Sequence, residues 1–198
     1  MSTLLYLDID KNRIAKIGID ASGNDVVLPS IGLTPDGIQV DGSDGQMYWT
    51  VMGSPKENDG RICSAGSDGS NTRDLLAPGS THTPKQIQLR GDKLYWCDRE
   101  GGRIMTCKTD GSNLVTLYDS APGESRPLAD ASKWCVGITV DTKRSLLYWT
   151  QKGPSKGGKG RIFRLKLEEL DSIQTLFHQM PEPIDLELDP TGETLYCE

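Results

Sequence analysis

Several features that mark common classes of protein are missing from this 198-residue sequence or scarce in it. No apolar run approaches the roughly 20 residues that a helix needs to span a bilayer. Residues 1–8 have neither the basic nor the apolar region of a signal peptide. Basic residues are the minority, with 22 Lys and Arg against 28 Asp and Glu, so no basic field attracts phosphates. We therefore expect a cytoplasmic protein that binds neither membranes nor nucleic acid.

Cysteine and histidine are few, which argues against the sites that these residues usually build. No two cysteines have the Cys-x-x-Cys spacing of a zinc site, and their odd, scattered set does not suggest a disulfide framework. We expect buried free thiols, no metal and no cofactor. Of the two histidines, His82 is a weak catalytic candidate, because an imidazole beside a binding loop can act as an acid or a base. The cysteines are Cys63, Cys97, Cys107, Cys135 and Cys197.

Sustained helical periodicity is also absent, whereas turn-forming residues are frequent. The sequence has 22 Gly and 11 Pro, and short apolar segments recur between them, which indicates many turns rather than disorder. These segments are rich in β-branched and aromatic residues and alternate as strands do. The sequence therefore predicts an all-β fold.

An aromatic motif recurs along the chain. Its tyrosines are 42, 47, 53 and 48 residues apart, and a tryptophan directly follows three of them. A period of this length, built from short strands, is typical of β-propellers. An Arg-Ile pair follows four of the motifs, and two repeats then have an Asp-Gly-Ser turn. Four antiparallel strands per repeat bury both faces of each sheet when the sheets stack radially about an axis. The tyrosines are Tyr6, Tyr48, Tyr95, Tyr148 and Tyr196.

The combination Leu-Tyr-Trp-Thr, Gly-Arg-Ile, Asp-Gly-Ser and Gly-Ile-x-Val-Asp, in fixed order, resembles the YWTD repeat of the low-density lipoprotein receptor family. That family forms six-bladed β-propellers, and the resemblance covers nearly the whole chain. It implies that the motif lies on the second strand of each blade and packs one blade on the next. The motif's acid matches at Asp98 but is replaced by Val51 and Gln151 in two repeats. The implied motif residues are Tyr48, Trp49, Tyr95, Trp96, Asp98, Tyr148 and Trp149.

The chain also departs from the receptors that it resembles. It has none of the disulfide-rich modules that flank receptor propellers, so it looks like a free-standing intracellular relative, and lipoprotein binding is not carried over. We expect one domain over residues 1–198, with blade units near 1–32, 33–80, 81–120 and 130–180 and a partial unit at 181–198. These units predict about 17 strands, fewer than six blades need.

Three explanations of the strand count stay open at this point. The sequence is a fragment, a second copy or another chain completes the ring, or four blades close into a ring with a redundant tail. An open arc of blades would leave an edge strand exposed.

The loops that follow the aromatic motif, with the connections that precede each first strand, form the rim on which we expect a binding site. One hypothesis is a binding or scaffold module that recognises a protein or small ligand there, because propeller loops are held on a stiff scaffold. The alternative is a metal-free enzyme, a cyclase, isomerase or lactonase-like protein, that uses the axial pocket. A closed funnel with convergent polar groups favours the enzyme, and a polar rim with aromatics favours the binder. The rim candidates are Lys85, Arg99, Glu100, Trp134, Gln151 and Lys152.

Overall fold

The computed structural model describes residues 2–198, which form 17 β-strands and one short 3-10 turn at Ala131–Lys133, with no α-helix among them. The predicted all-β class and strand count are thus confirmed. The strands are β1 (Thr3–Asp8), β2 (Arg13–Gly18), β3 (Asp25–Leu28), β4 (Pro35–Val40), β5 (Gln46–Val51), β6 (Arg61–Gly66), β7 (Arg73–Leu76), β8 (Pro84–Arg90), β9 (Lys93–Asp98), β10 (Arg103–Lys108), β11 (Val115–Asp119), β12 (Cys135–Asp141), β13 (Leu146–Gln151), β14 (Gly160–Lys166), β15 (Glu169–Met180), β16 (Leu186–Leu188) and β17 (Leu195–Cys197).

Each sheet is a meander whose strands lie side by side in chain order. Three sheets have four strands, β4 to β7, β8 to β11 and β12 to β15. The first sheet has the three strands β1 to β3, and the last has β16 and β17. Hairpin connections join neighbouring strands, so the pairing is antiparallel, and the connections β5–β6 and β13–β14 are longer than the others within their sheets. This is the blade pattern of a β-propeller, with strands two to four of a first blade and strands one and two of a last one.

The chain forms two compact units. The N-terminal unit, Met1–Pro84, contains the β1–β3 and β4–β7 sheets, and the C-terminal unit, Lys85–Glu198, contains the other three. Among the residues that the structure describes, no helix has the length and apolar character needed to cross a bilayer.

The second strand of each four-stranded sheet is deeply buried. Trp49 on β5, Trp96 on β9 and Trp149 on β13 are at most 1% exposed. A central propeller strand is covered on both faces, so its large aromatic side chains can pack on either side. In the C-terminal unit, the rings of Tyr118 and Phe163 pack against Trp149, with centroids 4.9 and 5.1 Å from it.

The Asp-Gly-Ser turns that join third and fourth strands have the expected chemistry. Gly111 has φ +89°, a conformation that glycine adopts without steric cost. Asp110 Oδ1 accepts a hydrogen bond from Ser112 N at 2.8 Å, which closes an Asx turn. The last four-stranded sheet has no Asp-Gly-Ser turn at this place; β14 ends at Lys166 and β15 begins at Glu169, which pairs with Lys166. The Lys166–Glu169 ion pair, with Nζ and Oε2 3.1 Å apart, joins the two ends of this shorter turn.

All five cysteines are free thiols, and four of them are buried. The expectation of burial is wrong for Cys197, which is exposed. It lies on the short strand β17, which pairs with β16 alone and is covered less than the inner strands. Burial raises the pKa of Cys63 and of Cys107 to about 12, so these thiols stay neutral.

Candidate functional site

Five of the six rim candidates meet at one edge of the C-terminal unit. Arg99 and Glu100 lie in the β9–β10 loop, Trp134 directly precedes β12, and Gln151 and Lys152 lie where β13 ends. We call these five residues the rim cluster. The β11–β12 connection, residues 120–134, crosses the cluster and joins its loops; we call it the strap.

Arg126 holds the strap in place through four hydrogen bonds, one of which its Nη1 donates to Glu124 O. Its guanidinium donates from Nε to Gly101 O at 2.7 Å, from Nη1 to Ala121 O at 3.1 Å and from Nη2 to Asp119 Oδ1 at 2.6 Å. The rigid, planar fork of arginine suits such a multidentate role. Backbone bonds add to it, with Ser120 N donating to Gly102 O at 2.9 Å. The long connection is therefore folded onto the β9–β10 loop.

Trp134 is the aromatic centre of the rim cluster. Its side chain is half-buried, and its Nε1 donates to Leu128 O at 2.7 Å. The Arg99 guanidinium lies over the indole, with Cζ 5.0 Å from the ring centroid. Arg99 Nε also donates to Glu100 Oε1 at 2.7 Å, and Leu128 N donates to Glu100 O at 2.8 Å. The indole is thus held between a cation and the strap.

Gln151 and Lys152 extend the cluster from β13. Gln151 is buried, and its Nε2 donates to the Tyr118 hydroxyl at 3.3 Å, whereas its Oε1 has no partner within residues 2–198. Lys152 N donates to Trp134 O at 3.1 Å, which ties the loop after β13 to the strap. The Lys152 ammonium pairs with Glu182 and, with the Ser155 hydroxyl, lowers the pKa of that carboxyl.

The other two candidates lie outside these contacts. Lys85 occupies the second position of β8, whose hairpin partner β9 ends beside Arg99, so it lies at the same edge of its sheet. His82 belongs to the N-terminal unit and is buried. Its Nδ1 lies 3.2 Å from Asn58 Oδ1 and its Nε2 lies 3.0 Å from Pro55 O. Both ring nitrogens therefore hold the β5–β6 loop.

The motif residues lie on β5, β9 and β13, each the second strand of its sheet. Asp98 is fully buried and faces Arg103 across the β9–β10 ladder, where Arg103 Nε donates to Asp98 Oδ2 at 3.0 Å. Asp8 and Arg13 repeat this bond at 3.0 Å in the first sheet. The acid and the Arg of the Arg-Ile pair therefore act as a unit.

Where the acid is missing, the arginine turns elsewhere. Arg61, opposite Val51, approaches Asp74 with Nε and Oδ1 3.2 Å apart. Arg161, opposite Gln151, donates from Nη2 to Ser132 O of the strap at 3.2 Å. In the C-terminal unit, Gln151 replaces the motif acid, and Arg161 therefore holds the strap at Ser132.

Sequence reasoning missed the residues that organise the cluster. Arg126, Asp119 and Glu182 lie outside the repeated motifs, and no pattern marks them. A signal existed only for the strap itself, because its connection is longer than the corresponding ones between β3 and β4 and between β7 and β8. An unusually long ordered loop on a repeat scaffold favours a role in binding.

The cluster presents an aromatic ring, two cations and their carboxylate partners on ordered loops. These groups can form apolar, cation–π and charge-assisted contacts with a partner. Within the described residues, no group of three or more His, Cys, Asp and Glu side chains could hold a metal ion.

Comparisons with known proteins give two informative relatives. The chain is 46% identical over 194 residues to a protein of Pyricularia oryzae named low-density lipoprotein receptor-related protein 1. It is 40% identical over 174 residues to the 3-hydroxyacyl-CoA dehydrogenase-like protein LAM1 of Cochliobolus heterostrophus. The matches cover 93% and 82% of this chain but only 63% and 36% of the two relatives. The chain therefore spans less than two thirds of either relative, and no protein-family model matches it.

Among solved structures, a chain of a nidogen/laminin complex has the same fold. It superposes with a TM-score of 0.77 at 22% identity, covering 98% of this chain and 66% of that chain. The match extends over both units of the sequence. At this identity the likeness establishes the β-propeller fold and leaves the ligand open.

Proposed function

Because the chain belongs to the YWTD-repeat β-propeller family, we propose that it is a binding module that recognises a protein partner through the rim cluster. The scaffold supplies stiff sheets, and the family motif is used for packing within them. The loops at the edge are then the part of the molecule that varies from one member to another. The solved structure with the same fold comes from a complex of two proteins, which supports a protein rather than a small molecule as the partner.

The observation that carries this proposal is the half-buried Trp134 beneath Arg99 on a pinned strap. Tryptophan and arginine contribute more to protein–protein binding than most other residues, because they combine apolar area with directed polar contacts. Arg126 and Leu128 hold the strap before any partner arrives, so little conformational entropy is lost on binding.

The charges of the cluster indicate what the partner presents. Arg99 lies over the indole, Lys152 is joined to Trp134 through its backbone N–H, and each of the two cations has a carboxylate partner from this chain. A partner that brings an apolar side chain to Trp134, with a carboxylate beside it, would replace the partly exposed Glu182 on Lys152 at small cost and leave the buried Arg99–Glu100 pair intact. We therefore expect binding to weaken as the salt concentration rises.

A reducing compartment fits the same function. Four of the five thiols are buried and none is paired, as is usual for proteins kept in a reducing environment. We propose that the protein acts in the cytoplasm. Fractionation of the source cells tests this proposal: recovery of the protein with cytosolic markers is expected, and recovery in a secreted or vesicular fraction would contradict it.

Affinity capture with matched variants tests the binding proposal. The full-length chain is immobilised, bound proteins are identified, and Trp134→Ala is compared with Phe177→Ala. Phe177 is a suitable control because it is an exposed aromatic residue of the same unit, 59% accessible on β15. A partner held by the wild type and by the Phe177 variant, but lost from the Trp134 variant, is expected.

Two results would contradict the proposal. One is a partner retained by the Trp134 variant, and the other is a partner lost only from the Phe177 variant. Circular dichroism of each variant identifies losses that come from unfolding, and Trp134→Phe, which keeps an aromatic ring, is expected to bind with intermediate strength.

A further inference from the structure

The N-terminal unit has a cleft that the C-terminal unit fills with aromatic rings. Each unit contains the same junction, in which the fourth strand of one sheet packs on the second and third strands of the next. In the C-terminal unit, Tyr118 of β11 and Phe163 of β14 pack against Trp149. Phe163 and the indole are stacked, with ring planes only 12° apart.

The register identifies the matching residues of the N-terminal unit. Phe163 lies opposite Trp149 on the β13–β14 ladder, and Cys63 lies opposite Trp49 on the β5–β6 ladder. Tyr118 pairs with an isoleucine of β10, and Leu28 pairs with the matching isoleucine of β2, next to the same bulge. Cysteine and leucine thus replace two rings, and within residues 2–198 no aromatic ring stacks on Trp49 as Phe163 stacks on Trp149.

The missing rings leave an open cleft of about 420 Å³. Its floor is apolar, formed by Ile31, Trp49 and Cys63. The Trp49 indole is fixed, because its Nε1 donates to Ile31 O at 3.2 Å. Burial keeps the Cys63 thiol neutral, so the floor carries no charge.

The wall of the cleft is cationic. Arg61 and Arg73 line it with Asp74, which gives a net charge of one positive. Arg61 Nε is buried and makes no well-aligned hydrogen bond within residues 2–198, although it lies 3.2 Å from Asp74 Oδ1. The Arg61 side chain is nevertheless partly exposed and lines the cleft, so its other guanidinium N–H groups can donate to an anion bound there.

The filled junction shows how a ring and a guanidinium fit together here. In the C-terminal unit, the Arg161 guanidinium lies over the Phe163 ring, with Cζ 5.4 Å from the centroid. Arg161 and Arg61 occupy the same place in the repeat, at the start of the third strand. A ring placed over Trp49, as Phe163 lies over Trp149, would therefore lie beside Arg61.

We propose that this cleft binds a small aromatic carboxylate, whose ring occupies the space of the missing Phe and whose carboxylate pairs with Arg61 and Arg73. The apolar floor takes the ring, and the single net positive charge of the wall matches one carboxylate. This site lies within the N-terminal unit and does not depend on the rim cluster.

Titration of the 15N-labelled full-length chain with benzoate tests the proposal. Each of the four tryptophans gives one indole N–H signal in an NMR spectrum. We expect a saturable shift of the Trp49 signal alone. Benzamide, which has the ring without the charge, should bind about tenfold more weakly, and acetate, which has the charge without the ring, should not shift this signal.

Variants of the cleft complete the test. Arg73→Ala should weaken benzoate binding about tenfold, and Gln174→Ala, at the matching position of β15, should leave it unchanged. Cys63→Phe supplies the missing ring and should abolish binding. If Cys63→Phe does not fold, the comparison of benzoate binding by Arg73→Ala and by Gln174→Ala tests the proposal instead. Any of four results would overturn the proposal. Two concern the wild type: no saturable shift of the Trp49 signal, or equal binding of benzoate and benzamide. The other two are undiminished benzoate binding by Arg73→Ala or by folded Cys63→Phe.

Discussion

Arg103 donates a hydrogen bond to the Asp98 carboxylate directly across the β9–β10 ladder, with Nε and Oδ2 3.0 Å apart and the aspartate fully buried. This pair fixes the end of the second strand at the point where the chain enters the rim cluster. The next loop residues pass so close that a β-carbon at Gly101 would overlap the Asp98 carboxylate. The pair therefore links the repeat motif to the geometry of the binding loops.

We predict that Asp98→Asn lowers the free energy of unfolding by about 3 kcal/mol, because it leaves a guanidinium without its buried counter-ion. Urea denaturation measures this change. Asp8→Asn, at the same motif position but partly exposed, is the matched control and should have a smaller effect. Equal stability of the wild type and the Asp98 variant would show that the pair is not structural.

We predict that Arg126→Ala releases the strap while the sheets stay folded. The substitution removes the bonds to Gly101 O, Ala121 O and Asp119 together. Limited proteolysis should then cut faster within residues 120–134, where several residues are already exposed. Arg144→Ala, which removes an ion pair to Asp141 instead, should leave this cleavage rate unchanged. An unaltered cleavage rate in the Arg126 variant would mean that other hydrogen bonds are sufficient to hold the strap in place.

We predict that one thiol of the native protein reacts with a disulfide reagent well before the other four. Cys197 is exposed, so the reagent reaches it even though partial burial and Asp185 raise its pKa, whereas burial raises the pKa of Cys63 and Cys107 to about 12 and excludes the reagent. A colorimetric thiol assay should show one fast equivalent, four more on unfolding, and none fast in Cys197→Ser. More than one fast thiol in the native wild type would contradict the described packing.

We predict that stability is constant near neutral pH and falls as the pH drops below about 4. Hydrogen bonds from Ser70 to Asp68, and from Ser112 to Asp110, lower the pKa of each aspartate below its ordinary 3.8. Such groups stabilise the folded state above their unfolded pKa, and this stabilisation is lost as the pH falls through the folded pKa. Thermal denaturation between pH 2 and 7 measures it.

The double variant Asp68→Asn, Asp110→Asn separates the charge from the turn. Asparagine still accepts the hydrogen bond of an Asx turn but does not titrate there. Its melting temperature should therefore decline less steeply in acid than that of the wild type. An identical decline would assign the acid sensitivity to other carboxyl groups.

The sequence was sufficient to predict the blades and insufficient to predict the site. Tyr48-Trp49 and its copies recur with strand-like neighbours, so the meander of each sheet follows from local pattern and turn chemistry. Arg126 and Glu182 contact the rim cluster through loops of unique length, and no repeat exists from which their placement could be derived. The place of Lys152 is fixed by a backbone bond to Trp134, which sequence patterns do not encode.

The cleft of the N-terminal unit was predictable in part. The residues that follow the four Arg-Ile pairs are Ala15, Cys63, Met105 and Phe163, so the sequence alone shows that the last of these repeats has a ring at this position and the other three do not. It does not reveal that Leu28 replaces Tyr118, because the fourth strands have different lengths and need the ladder register for alignment. Nor does the sequence show that Arg61 approaches Asp74. Arg61 is available for this contact because Val51, opposite it on the β5–β6 ladder, stands where the motif has an acid.

Hydrogen exchange with a purified partner tests the central claim most directly. The partner captured by the wild type is added to the full-length chain, and exchange of backbone amides is followed by mass spectrometry. We predict slower exchange in residues 120–134 and 152–159, the strap and the loop after β13. Protection confined to the outer strand β15, with the strap unchanged, would contradict recognition through the rim cluster.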